Sequence, residues 1–178
     1  MSDRALLTSK DIRRSIMNRF SVLGLVAMVL LALPGKAAFA EDGGALKVVY
    51  HADFSSPRRI SAMITSINNM VTTYKSDLED YDVRIVFISH GIRFLTKDKL
   101  AKTPFAEDKA LAERRDNIMQ RLASLQNVHD VKLELCDITR QAIKLDKKKI
   151  MPNVKLVRSG VVRLAELQHK GFAYIKIE

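Results

Sequence analysis

Beyond residue 45, apolar residues along this chain fall into five short runs, separated by stretches in which they recur every three or four positions. The first run, Leu46-Lys-Val-Val-Tyr50, predicts a strand. Ser56 and Pro57 follow it as an N-cap and a first-turn proline. Ile60, Met63, Ile64, Ile67, Met70, Val71 and Tyr74 then mark one buried face of a helix. Asp80-Tyr-Asp82 ends that pattern. Residues 83–89 predict a second strand, apolar from Val83 to Ile88 except for Arg84, as in a strand covered on both faces. Gly91 after it permits a sharp turn.

Residues 92–105 show no period and predict the longest loop. Glu107 and Asp108 open a second helix with acid in its first turn, where the helix dipole favours it. Its buried stripe is Leu111, Ile118, Leu122 and Leu125. The strand Val131-Lys-Leu-Glu-Leu135 leads to Cys136, and a short helix spans about 139–145. Asn153-Val-Lys-Leu-Val157 is a fourth strand. Ser159 caps a last helix with Val162, Ala165 and Leu167 inward; Gly171 stops it, and residues 172–177 form a fifth strand. Strands alternating with crossover helices predict an α/β fold: a three-layer α/β/α sandwich on a mostly parallel five-stranded sheet. Right-handed crossovers put every strand-to-helix loop at one edge.

The first 40 residues stand apart. Arg13, Arg14 and Arg19 precede an apolar core of about 13 residues from Ser21, then Ala38-Phe-Ala40. This predicts an export signal, by the Sec or the twin-arginine route, and a periplasmic location; an uncleaved anchor is the alternative. The core is shorter than the roughly 20 residues a membrane span needs. Residues 41–178 then form a single domain carrying 24 Lys and Arg against 18 Asp and Glu, a net charge of +6. These charges are scattered and an exported protein rarely meets nucleic acid, so none is expected as a partner. No stable membrane span is expected after signal removal, and Lys147-Lys-Lys149 reads as a solvated helix end ahead of a contact for lipid headgroups. Cys136 has no cysteine to pair with inside the chain.

Chemistry is concentrated where strands end. His51 and His90 follow the first two strands and Cys136 the third, so a parallel sheet brings all three to one edge. Cysteine attacks as thiolate, which nearby cations or a helix N-terminus favour. Arg58, Arg59, Arg93 and Arg140 fall on loops of that edge, with Asp53 and Asp137 opposing them. Cys136 is thus the candidate nucleophile, and His51 and His90 are candidates for proton transfer or anion contact. Arg58, Arg93, Thr139 and Arg140 are candidate substrate contacts. The competing readings are a small packed cysteine and histidines that cap strand ends. No glycine-rich phosphate loop, paired-cysteine redox motif or serine nucleophile elbow is present. No cofactor is expected, and no compact ligand spacing supports a metal site.

The ordered set Lys47-Val-Val-Tyr-His51, Asn68-Asn69, Ile85-Val-Phe-Ile-Ser-His-Gly91, Leu135-Cys-Asp-Ile-Thr139 and Val157-Arg-Ser-Gly-Val-Val-Arg-Leu-Ala-Glu-Leu-Gln168 with Gly171-Phe-Ala-Tyr-Ile175 resembles the DsrE/DsrF-like family of sulfur-relay proteins, in particular its exported members. The resemblance implies a three-layer α/β fold, assembly into dimers, trimers or hexamers, and sulfur carried as a persulfide on Cys136. Where the family has a small turn after its cysteine, Asp137 and Ile138 stand here and place a carboxylate beside the thiol. The function this implies is a periplasmic carrier of sulfane sulfur rather than an enzyme with turnover, exchanging sulfur with donor and acceptor proteins or small sulfur species. The alternative is a non-catalytic oligomeric module that binds a small anion or a protein partner. Methionine-bearing helix faces and the last strand are the surfaces expected to join subunits.

Overall fold

The computed structural model describes residues 44–178. The export-signal reading of residues 1–40 lies outside them. Five parallel strands form one sheet: β1 (Leu46–Ala52), β2 (Tyr81–Phe87), β3 (Lys132–Cys136), β4 (Lys155–Val157) and β5 (Ala173–Lys176), in the order β4-β3-β2-β1-β5. The α/β class and parallel sheet predicted from the alternating pattern are present.

Helix α1 (Pro57–Ser76) begins where Ser56 accepts a hydrogen bond from the Arg59 N–H at 3.3 Å. It buries Ile60, Met63, Ile64, Ile67 and Val71, the predicted face. The predicted second helix is two: α2 (Lys109–Ala112) and α3 (Arg115–His129). Between Leu111 and Ile118 the inward position belongs to Arg115, which donates to Glu107 at 2.7 Å and to the carbonyls of Arg93 and Thr96. A buried guanidinium must follow its partners, so the helix breaks there. The same arginine, with Arg93, fixes the long loop, and Leu95, Thr96 and Leu100 within it are buried.

Short α4 (Asp137–Ala142) starts directly after β3 and earlier than the spacing predicts. Helix α5 (Gly160–His169) is capped by Ser159, but its inner face is Gly160, Leu164 and Leu167. Val162 is 54% exposed, and Ala165 also faces out, because the close seat of Gly160 on the sheet sets the rotation. Strand β4 is three residues rather than five, and β5 four rather than six.

Side chains alternate across the sheet. Tyr50, Ile85 and Leu133 join α1 and α3 in a large core, while Val49 and Val86 meet Leu164, Leu167 and Phe172 in a small one, against which Ile88 packs. The helical layers are therefore unequal. Met63 is fully buried in the large core, and Met70 and Met119 pack against it, so these side chains serve the interior of the fold. Gly91 lacks a left-handed backbone; its need is space, since a Cβ there would lie 2.1 Å from the Ala52 carbonyl oxygen. Among the described residues no helix is long and apolar enough to cross a membrane.

Candidate functional site at the carboxyl edge of the sheet

Strands β1 to β4 lie side by side in chain order, so right-handed crossovers return their helices to one face. The connection from β4 crosses back over three strands to β5, and α5 packs on the opposite face against β1, β2 and β3. Connections leaving β3 and β4 thus diverge to opposite faces. A ligand crevice is expected at such a switch point, outside the carboxyl ends of the two strands. Cys136 stands there, in register with Val157.

Cys136 ends β3 and occupies the N-cap position of α4. Its side chain is on the α5 face, free of disulfide and only 4% exposed. The cover is the first residue of α5. A Cβ on Gly160 would lie 2.5 Å from Ile88 Cγ1 and 3.1 Å from Cys136 Cβ. Glycine here lets the helix sit directly on the thiol.

The residues predicted to serve this thiol are mostly engaged elsewhere. Arg140 donates to Asp137 at 2.5 Å and to the Leu145 carbonyl at 2.6 Å. That pairing, with Gln141 also donating, holds the Asp137 carboxyl below the usual carboxylate range. Thr139 is buried and accepts from the Ser89 N–H at 3.1 Å, which ties α4 to the turn after β2. Arg93 is 3% exposed and donates to Asp108 at 2.6 Å and to the Ser55 carbonyl at 3.2 Å. Arg59 lies 5.3 Å above the Phe54 ring, and Arg58 is exposed on the first turn of α1.

His90 rests edge-on against Phe105 with ring centroids 5.2 Å apart. His51 Nδ1 is 2.8 Å from the Tyr174 hydroxyl, and its Nε2 is 3.7 Å from Asp53, which Lys176 holds at 3.1 Å. Burial lowers the His51 pKa and outweighs the pull of Asp53. His51 is in register with Val86, and Val86 with Glu134. Two strand spacings, about 10 Å, separate it sideways from β3. The carboxyl edge is shared, but the structure does not bring His51 to Cys136. Among the described residues no three His, Cys, Asp or Glu side chains converge as a metal site.

What the sequence reading missed is Glu134, treated there as part of an apolar strand. It is 1% exposed and accepts from Arg84 at 2.9 Å and from Arg163 of α5 at 2.5 and 2.8 Å. Burial alone would raise its pKa, but the two guanidiniums win and hold it low. Arg84 also pairs with Asp82 and lies 5.2 Å above Phe172. The signal was available. Arg84 and Glu134 are opposite charges in neighbouring central strands, where an unpaired charge would be prohibitive.

A model of the DsrE/DsrF-like family matches residues 46–177. The chain belongs to the DsrE/DsrF-like family. Membership suggests a function related to sulfur relay. An uncharacterized protein of Aquifex aeolicus (strain VF5) is 28% identical over 160 residues, 90% of this chain, and the chain spans 64% of that relative's length. Two solved structures share the fold. One is a protein of unknown function, MTH1491, from Methanobacterium thermoautotrophicum, with TM-score 0.56, 24% identity, and coverage of 74% of this chain and 98% of that one. The other is the ychN protein from E. coli, with TM-score 0.51, 17% identity, and coverage of 74% and 99%.

Proposed function

We propose that this protein carries sulfane sulfur as a persulfide on Cys136, in the periplasm. The supporting observation is the position of Cys136 at the switch point of the sheet, in a chain of the DsrE/DsrF-like family. In the loading step the Cys136 thiolate attacks a sulfane sulfur of a polysulfide. A bond forms between the two sulfurs, the donor's S–S bond breaks, and its electron pair leaves on the shortened polysulfide. Unloading is the same exchange onto an acceptor thiolate. No outside oxidant is needed. With the thiol 4% exposed, loading depends on the first turn of α5 moving off Ile88 and Cys136.

Incubating native protein with polysulfide and measuring intact mass is expected to show added sulfur that Cys136→Ala abolishes. An unchanged native mass would remove the carrier role. The burial of Cys136 and the internal pairing of Arg93 and Arg140 favour a second reading, a non-catalytic oligomeric module binding a small anion or a protein partner. A thiol that resists alkylation until the protein unfolds, with ligand binding intact in Cys136→Ser, would select it.

A further inference from the structure

The unequal helical layers leave a vacancy. Helix α5 covers β1, β2 and β3 but stops short of β4, the strand at the sheet's margin. A slot of about 710 Å³ remains between β4 and α5. Its walls carry Lys155 and Arg158, both exposed and in no ion pair among the described residues, and the apolar Ile138 and Val162, 58% and 54% exposed. Arg163 on the inner wall is already committed to Glu134, and Glu166, the one carboxylate in the lining, lies 3.5 Å from the same guanidinium. The slot therefore offers two free cations around an oily floor.

A complementary shape stands elsewhere on the same molecule, at the end of α1. Asp77, Leu78, Glu79 and Asp80 are all exposed, and Leu78 is 93% exposed. None of the three carboxylates is in an ion pair among the described residues. The helix closes with the Leu78 N–H donating to the Lys75 carbonyl at 3.3 Å and the Glu79 N–H to the Tyr74 carbonyl at 2.9 Å. In that closure the residue Leu78 occupies is left-handed, and its φ is 58°. Helix α5 ends with the same pair of bonds, and there glycine, Gly171, takes the left-handed place at φ 83°. Leucine at this position bears a steric cost and, at 93% exposed, buries almost nothing among the described residues.

We infer that copies of this chain associate head to tail, the Asp77–Asp80 loop of one copy entering the slot beside β4 of the next. Leu78 would lie against Ile138 and Val162, and the carboxylates would meet Lys155 and Arg158. The occupant is a second copy because this chain itself carries an apolar tip flanked by the opposite charge. Loop and slot are different patches, so the contact is heterologous and closes into a ring or extends as a filament. It also places the neighbour beside the switch point that holds Cys136.

The test is sedimentation velocity on the full chain over a concentration series at low and high salt. Assemblies larger than a monomer are expected, weakened by salt. Leu78→Asn, Asp77→Lys with Glu79→Lys, and Lys155→Glu with Arg158→Glu are each expected to weaken association at least tenfold. Asparagine tolerates the left-handed backbone, so Leu78→Asn retains or raises thermal stability, and loss of assembly in it is not a folding defect. Mixing the loop-reversed protein with the slot-reversed protein is expected to restore association. A monomer at every concentration overturns the inference, and so does assembly that these variants leave unchanged.

Discussion

At the scale of single residues, the thiol and its cover are the decisive pair. Gly160 is the first residue of α5, and its missing side chain leaves room for Ile88 and Cys136 beneath. Gly160→Ala forces a shift of the helix or of Ile88, an overpacking expected to cost about 1–3 kcal/mol. Its Cys136 is expected to alkylate several-fold faster than that of the native protein, read by a thiol-labelling time course beside a thermal melt. Equal rates and equal melting would mean that Ile88 yields freely and α5 is no cover. Cys136, His51 and His90 could be picked out by their places after strands. Their separate surroundings could not, because sequence distance says nothing of which strand lies between two others.

At the scale of elements, α5 meets the sheet through a buried ion pair as well as through apolar contact. Leu164, Leu167 and Phe172 supply its apolar seat, and Arg163 reaches Glu134 through two hydrogen bonds. Glu134→Gln leaves two guanidiniums short of a partner, and Arg84 keeps Asp82. The expected loss is about 3 kcal/mol, the low end for breaking a buried pair, since both arginines retain some solvent contact. The carboxyl titrates lower in the folded state than in the unfolded chain, where it ionises near pH 4.3. Its contribution is therefore complete above that pH and is lost as the pH falls through the folded value. Urea unfolding is expected to show a shallower acid-side decline for Glu134→Gln than for the native protein. The existence and order of the elements were legible from apolar spacing. The break between α2 and α3 was not, because Arg115 turns inward to loop carbonyls that no local pattern announces. The rotation of α5 was ambiguous for a related reason: Val161, Val162, Leu164 and Leu167 offer two apolar faces, and Gly160 selects one.

At the scale of the whole molecule, the chain joins a folded α/β unit to an N-terminal stretch with the charge and apolar pattern of an export signal. Expressed in a bacterium with two membranes, the full chain is expected to yield a periplasmic protein whose N-terminus lies near Glu41, read by fractionation and intact mass. Uncleaved protein in the cytoplasm would end the periplasmic proposal. The one-sided distribution of helices follows from strand order. Three successive crossovers crowd one face, and a single return helix serves the other.

Sequence by itself determined the strands, the helices, their parallel arrangement and the place of the lone thiol after the third strand, because each depends on short-range periodicity and chain order. Tertiary structure alone decided that the thiol is covered, that its neighbouring arginines are engaged, and that Glu134 anchors α5. The cover and the anchor join residues more than twenty positions apart, which only the packing of α5 against the sheet brings together; the arginines are taken up by side-chain and carbonyl partners that apolar spacing does not reveal.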